Sequence, residues 1–368
     1  MNEIKNKRES NFELLRIIAI LLIITSHFCV HSTNQIYLQA PFTFNIHHLL
    51  TLIFTTGCIA NNIFILITGY FMVNKKINYK KIISLILDME FYSIIIYLVL
   101  SITGLIKNIS PIKSIFTIFY GNWFCIYYII LYLFIPYLNH LLNTLPKEAL
   151  KKLIITILVL VCIVPTFIDV WNFSVHDVFI LSYLMGGYIK LYPNKNITQK
   201  KIKSILIYTI LLLILCITSL YVIGIHFKIL PFIKDLPQRY ICSNSSIFVI
   251  IIAICIFLLF KNKKIKYNQY INTASTTALG IYLIHDNYLL REIIWNKIAP
   301  ISLYFNKCFF PIYAITKILA VFIICYIIVR VKQIILNKPH NYLTNKIYNL
   351  LEKIIKKEGN KNEFWRSN

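Results

Sequence analysis

The sequence predicts an all-α, polytopic transmembrane helix bundle of about ten spans with both termini cytoplasmic, and three observations carry that expectation. Of the 368 residues, 58% are hydrophobic, and the mean hydropathy is +0.68. Soluble domains are roughly half apolar. Charged residues make up only 14%, gathered in short clusters between long apolar runs. Those clusters alternate between rich and poor in Lys and Arg. A water-soluble fold cannot hide this much apolar surface, whereas a bilayer removes the need to.

A span takes about 17–25 apolar residues, and ten runs approach that length. Lys5, Lys7 and Arg8 precede the first, Leu14 to Val30, and no Lys or Arg occurs from Ser32 to His48. The second, Leu49 to Val73, is followed by Lys75, Lys76, Lys80 and Lys81. The third, Ile82 to Gly104, leads to a loop with Lys107 and Lys113 alone, and the fourth, Trp123 to Leu142, to Lys147, Lys151 and Lys152. After the fifth, Leu153 to Val170, the connection Trp171 to Asp177 carries no Lys or Arg. The sixth, Val178 to Leu191, ends at Lys195, Lys200, Lys201 and Lys203. The seventh, Ile205 to Ile223, opens a less clean loop holding Lys228, Lys234 and Arg239. Lys261, Lys263, Lys264 and Lys266 follow the eighth, Ser246 to Phe260. The ninth and tenth run from Thr277 to Ile294 and Phe309 to Val329, and the tail from Arg330 is basic. Positive charge collects on the cytoplasmic side, so the alternation places both ends inside. Residues 1–335 read as one transmembrane unit. Residues 336–368 read as a basic amphipathic cytoplasmic tail, with Leu343, Ile347, Leu350, Leu351 and Ile354 at helical spacing between lysines.

The formal net charge of +24 invites a nucleic-acid reading. The basic residues sit in loops between spans, however, where they suit anionic lipid headgroups; nucleic acid is not an expected partner, and the bilayer is. Nine Cys are scattered with no C-x-x-C pair, so neither a zinc site nor a disulfide framework is indicated. The first apolar run has no small-residue cleavage site and carries Arg16, so it does not read as a cleavable signal peptide.

An ionisable group inside a span is expensive and is a functional candidate by default. Arg16 and His27 are eleven residues apart, about three helical turns, which puts both on one face roughly 16 Å apart along the axis. Arg16 would lie near the cytoplasmic surface and His27 deep, an arrangement that could hold the phosphates of an anionic cytoplasmic molecule and reach its reactive end. Arg16 serves equally as a snorkelling anchor, and His27 as a packing histidine. His285, followed by Asp286, sits mid-way in the ninth run as a second candidate pair, and Asp286 could orient a ring or bind a hydroxyl. Asp88 and Glu90 lie about two turns into the third run, at the depth of Arg16, and one of them is expected to pair with it. Arg239 and Trp123, at outer ends of spans, are candidates to grip or stack on a polar acceptor. His31, His47 and His48 lack close carboxylates in sequence, and no metal site is expected there.

Several segments, in order, carry a resemblance. Asn11-Phe12-Glu13-Leu14-Leu15-Arg16 through Ser26-His27 looks like the first-span opening of the acyltransferase family 3 membrane proteins, whose signature is an Arg, ten residues, then a His. Phe64 through Gly69-Tyr70-Phe71 resembles the Gly-centred end of that family's second span, and Trp123 through Tyr132 to Pro136 its Trp-Tyr-Pro segment. Gly186-Gly187-Tyr188 resembles a later Gly-aromatic turn, and Tyr282-Leu283-Ile284-His285 its Tyr-Leu-Ile-His motif. The resemblance covers residues 11 to about 330. It implies transfer of an acyl group, usually acetyl, from acyl-CoA as co-substrate, with no permanently bound cofactor. The implied acceptor is a sugar hydroxyl of a capsule, exopolysaccharide or other envelope glycan, at a bacterial cytoplasmic membrane. Under it His27, with His285, is catalytic, Arg16 holds the donor, and Asp286, Arg239 and Trp123 contact the acceptor. The chemistry fits: a hydroxyl is a poor nucleophile, and imidazole, which titrates near neutrality, suits removal of its proton.

The rival class is a secondary transporter or flippase of lipid-linked glycans. Such proteins show internal repeats and Gly- or Pro-broken helices, whereas this chain has 9 Gly, 11 Pro and no visible repeat. No G-x-x-x-x-G-K-[ST], no G-x-S-x-G and no H-x-x-x-x-D pattern occurs.

Overall fold

A computed structural model describes residues 8–37, 43–106, 122–168, 175–194, 196–229 and 241–366. All regular structure among them is helical. The chain opens with α1 (Ser10–Tyr37), α2 (Ile46–Phe54), a 3₁₀ turn at Thr55–Cys58, α3 (Ile59–Met72) and α4 (Tyr79–Ile102). Then follow α5 (Trp123–Thr144) and α6 (Lys147–Leu158), which a π turn at Val159–Ile163 carries on to a last helical turn at Val164–Phe167. After α7 (Val175–Leu191), α8 (Gln199–His226) and α9 (Ile247–Lys261) come three short helices, α10 (Gln269–Ser275), α11 (Ala278–His285) and α12 (Tyr288–Glu292). The last helix, α13, runs from Phe310 to Arg366.

Short polar residues start these helices where the chain turns back. Asn45, Asn78, Thr198, Asn268 and Asn287 each accept a hydrogen bond from a backbone N–H in the first turn of the helix that follows. That satisfies donors which would otherwise be orphaned in an apolar setting.

Among the described residues, seven helices are long and apolar enough to cross a membrane. The prediction of about ten differs in three places. Helices α7 and α9, with 17 and 15 residues, are shorter, and both are heavily buried at Phe179, Tyr183, Val249 and Phe257. The ninth apolar run is not one helix: it breaks at Asp286-Asn287 and ends in a π turn at Ile293–Lys297. Hydropathy registers composition and is blind to such breaks; irregular backbone at this depth is tolerated where it is buried in protein.

Helix α1 is central. Phe12, Leu15, Ala19, Ile20, Ile24 and Phe28 are buried at 1% exposure or less, and the helix packs on α3, α9, α10, α11 and α13. Helices α3 and α7 approach most closely. A Cβ on Gly69 would collide with the Tyr183 carbonyl, and one on Gly186 with the Leu66 carbonyl, so both positions exclude any larger residue.

At about 1.5 Å per residue, the 57 residues of α13 span about 85 Å, well over the roughly 30 Å of a bilayer core. No break marks residue 335. The helix runs antiparallel to α4, tied by the Asp88–Lys332 ion pair, by a hydrogen bond between Ser84 Oγ and His340 Nε2 (2.9 Å) and by Lys80 Nζ to Asn345 Oδ1 (2.8 Å).

Candidate active site

The site is assembled where α11 stops. His285 closes that helix, Asp286 is its C-cap, and Asn287 starts α12 by accepting from Leu289 N (3.0 Å) while donating to Ser93 Oγ of α4 (3.1 Å). The three consecutive polar residues His285, Asp286 and Asn287 are all buried, so the helix break delivers a charge and an imidazole into the bundle interior.

His27 of α1 meets them there. Its Nδ1 lies 3.0 Å from His285 Nε2, and His285 Nδ1 lies 2.6 Å from the Ile281 carbonyl. A carbonyl only accepts, so the proton of a neutral His285 is on Nδ1 and its Nε2 is a lone pair. His27 Nδ1 must then be the N–H that donates to it. What remains on His27 is an unprotonated Nε2, the form a general base requires. Asp286 Oδ1 is 3.5 Å from His27 Nδ1, 3.5 Å from His31 Nε2 and 2.9 Å from Arg291 Nη2. A positive charge arising on His27 is therefore faced by a carboxylate already held in place.

Arg16 has a different partner from the one expected. It is bound by Glu13, one turn earlier on α1, and Glu13 also accepts from Ser275 Oγ. Asp88 is taken by Lys332 instead. The local carboxylate wins because an i,i+3 pair on one helix meets without moving any other element. The start of α1 is further clamped by Ser10 Oγ to Asn272 Oδ1 (2.9 Å) and by Asn11 Nδ2 to the Phe260 carbonyl (3.0 Å).

A cavity of about 610 Å³ is lined by both Arg16 and Tyr282, within the roughly 300–1,000 Å³ usual for ligand sites. Arg16, Lys80 and Lys81 line one end. Ile20 and Ile23, on the same stripe of α1, continue it with Phe64, Phe124 and Tyr128, and Tyr282 lines the far end. The Tyr282 ring stands 6.4 Å from that of His27 and 6.2 Å from that of His285, centroid to centroid. Beyond His27, one turn further along α1, lies the half-buried His31, with Arg291 beside the same carboxylate.

Arg16 thus lines the cavity, while His27, His285 and Asp286 cluster behind the Tyr282 ring that lines it. Trp123 packs on Phe124 and Tyr127 at the start of α5; its neighbour Phe124 lines the cavity, and Trp123 is not brought to the histidines. Arg239 lies outside the described residues. His47 bonds the Phe305 carbonyl and His48 packs against Tyr221. His27, His31 and Asp286 are the one group among the described residues whose ligand atoms, within 4.8 Å of one another, could hold a metal ion. Arg291, at 2.9 Å from the same carboxylate oxygen, would compete with a cation there. Glu13, His31 and Arg291 were not found as site residues by sequence reasoning. Arg291 had one available signal, a lone cation five residues after Asp286 in an apolar run.

A histidine with a free ring nitrogen, beside a tyrosine that lines a cavity also carrying Arg16, Lys80 and Lys81, inside a bundle of membrane-length helices: these define a membrane protein equipped for proton transfer. The chain belongs to acyltransferase family 3, whose family model, an acyltransferase domain, matches residues 9–330. No curated protein and no solved structure gives a match. The matched region contains Arg16, His27, His285, Asp286 and Arg291, and the protein is a membrane acyltransferase.

Proposed function

We propose that the protein transfers an acyl group, acetyl in the first instance, from acyl-CoA to a sugar hydroxyl of a capsular, extracellular or other envelope polysaccharide at a bacterial cytoplasmic membrane. The observation that carries the reading is the hydrogen-bond chain Ile281 carbonyl–His285–His27, which leaves a basic Nε2 on the histidine beside Tyr282, and Tyr282 lines the cavity that holds Arg16, Lys80 and Lys81.

The acceptor hydroxyl gives its proton to His27 Nε2 as its oxygen attacks the thioester carbonyl. A new C–O bond forms, the C–S bond breaks, and the departing sulfur takes the proton from His27 Nε2–H, so the products are an ester and free CoA. During attack His27 is an imidazolium, faced by Asp286, which Arg291 and His31 hold in position. His285 touches neither substrate in this scheme and acts by fixing the His27 tautomer. Arg16, Lys80 and Lys81 suit the donor's phosphates, and the apolar stretch from Ile20 to Phe124 suits its pantetheine arm. The acceptor reaches His27 from the side of His31 and Arg291, so the two substrates enter from opposite ends.

The test is glycan O-acetyl content in cells carrying wild type, His27→Ala or Arg16→Ala at equal membrane expression. Loss of O-acetyl groups in both variants supports acyl transfer. Unchanged acetylation with altered glycan export would favour a transporter and overturn the enzyme reading.

A further inference from the structure

The matched family domain ends at residue 330, yet the cavity wall does not. Asn341, Thr344 and Asn345, on α13 beyond that limit, line the cavity at the end where Lys80 and Lys81 stand. They are held there on purpose-built contacts. Lys332 pairs with Asp88, His340 with Ser84, and Lys80 donates to Asn345 Oδ1 at 2.8 Å while lying 4.9 Å from the Tyr348 ring centroid. Thr344 is buried, at 6% exposure. Every one of these ties runs to α4, so α13 past residue 330 is fixed as a wall of the cavity.

We propose that this stretch of α13 recognises the nucleotide end of the donor, with Asn341, Thr344 and Asn345 reading the heterocycle. The inference rests on the acyl-CoA reading above. The argument is the division of chemistry along the cavity. The cations Arg16, Lys80 and Lys81 match phosphates, and the apolar interior matches the acyl-pantetheine arm. At the mouth are uncharged amides and a hydroxyl, which have no phosphate to neutralise. A side-chain amide presents a donor and an acceptor side by side, the pattern that pairs with the amino and ring-nitrogen edge of adenine. Lys80, bonded to Asn345, joins the phosphate-binding and base-binding parts into one surface. The matched region would then supply the reaction, and α13 beyond residue 330 would supply the preference for a nucleotide-bearing donor.

Binding of CoA and of 4′-phosphopantetheine, which lacks the nucleotide, to full-length protein in lipid nanodiscs tests this by calorimetry. Wild type is expected to bind CoA more tightly than 4′-phosphopantetheine. The double variant Asn341→Ala/Asn345→Ala is expected to lose about tenfold or more in CoA affinity and nothing toward 4′-phosphopantetheine. Asn345→Asp keeps the shape and the acceptor for Lys80 but removes the amide donors. It should show the same selective loss, which separates recognition from mere disruption of the helix contact. A gap between the two ligands that is undiminished in the variants overturns the proposal, as does equal affinity of wild type for both; in either case the acyl-CoA reading stands. Binding of neither ligand by wild type overturns both.

Discussion

Replacing His285 by leucine removes the acceptor 3.0 Å from His27 Nδ1 and leaves that N–H buried. The next acceptor is Asp286 Oδ1 at 3.5 Å, too far for a direct hydrogen bond. Leaving a buried donor unsatisfied costs about 1–3 kcal/mol. If that loss falls on the state that needs the His27 tautomer, turnover drops about 5- to 150-fold. The neighbouring cavity is lined by Tyr282 and not by His285, so CoA affinity should stay within about twofold. His285→Gln, whose Oε1 can accept at similar reach, should recover part of the rate. His27→Ala removes the base itself and should cost about 10²–10⁴. The decisive comparison is the double variant, assayed by transfer of labelled acetyl in membranes normalised for folded protein. Because His285 acts through His27, His27→Ala/His285→Leu should be no slower than His27→Ala alone. A double variant slower by the product of the two single effects would refute the chain, since it would require His285 to act on the reaction directly.

Arg16→Ala should weaken CoA binding about 10- to 100-fold, the scale of a charge-assisted hydrogen bond, with a smaller change in turnover at saturating donor. Arg16→Lys should fall between wild type and Ala because a point charge lacks the guanidinium fork. Gly69→Ala forces a Cβ onto the Tyr183 carbonyl and should destabilise by about 1–3 kcal/mol, read as a lower Tm in detergent. Gly187→Ala meets only side-chain methyls of Leu142 and Val73 and should lower Tm less. Lys317 is buried and donates to the carbonyls of Trp295, Ile298 and Ala299, each at 3.0 Å. Lys317→Met leaves those acceptors without their cation and should lower Tm by the equivalent of about 1.5–3 kcal/mol, with CoA affinity retained.

The apolar runs and their basic flanks were legible in the sequence because span length and loop charge are one-dimensional properties. The Arg16–His27 stripe was legible for the same reason: one helix sets both the distance and the face. What joins His27 to His285 is a contact between residues 258 positions apart, and no local period encodes it. The break at Asp286-Asn287 was written in three successive polar residues, but an overall apolar run of that length masks them. Arg16 was misread for the opposite reason. Its partner, Glu13, stands three residues away on the same helix, whereas depth alone points across the bundle to Asp88 or Glu90. The end of the family-like region near 330 and the onset of a basic pattern drew a boundary on α13. The helix itself crosses that boundary, because packing against α4 continues for four more turns.

The proton position of the proposed base, His27, is fixed through His285 by a peptide carbonyl. Ile281 contributes its backbone and not its side chain, so substitution at 281 leaves the instruction intact. The reactivity of His27 is thereby insulated from sequence drift at the residue that sets it, and tied instead to the register of α11. A lineage wishing to retune this base would have to slide or rotate that helix, a change reachable through its glycine contact at Gly280, which rests against Val329 and Tyr92. Distant packing positions, rather than the groups touching the histidines, are where evolved differences in rate should accumulate.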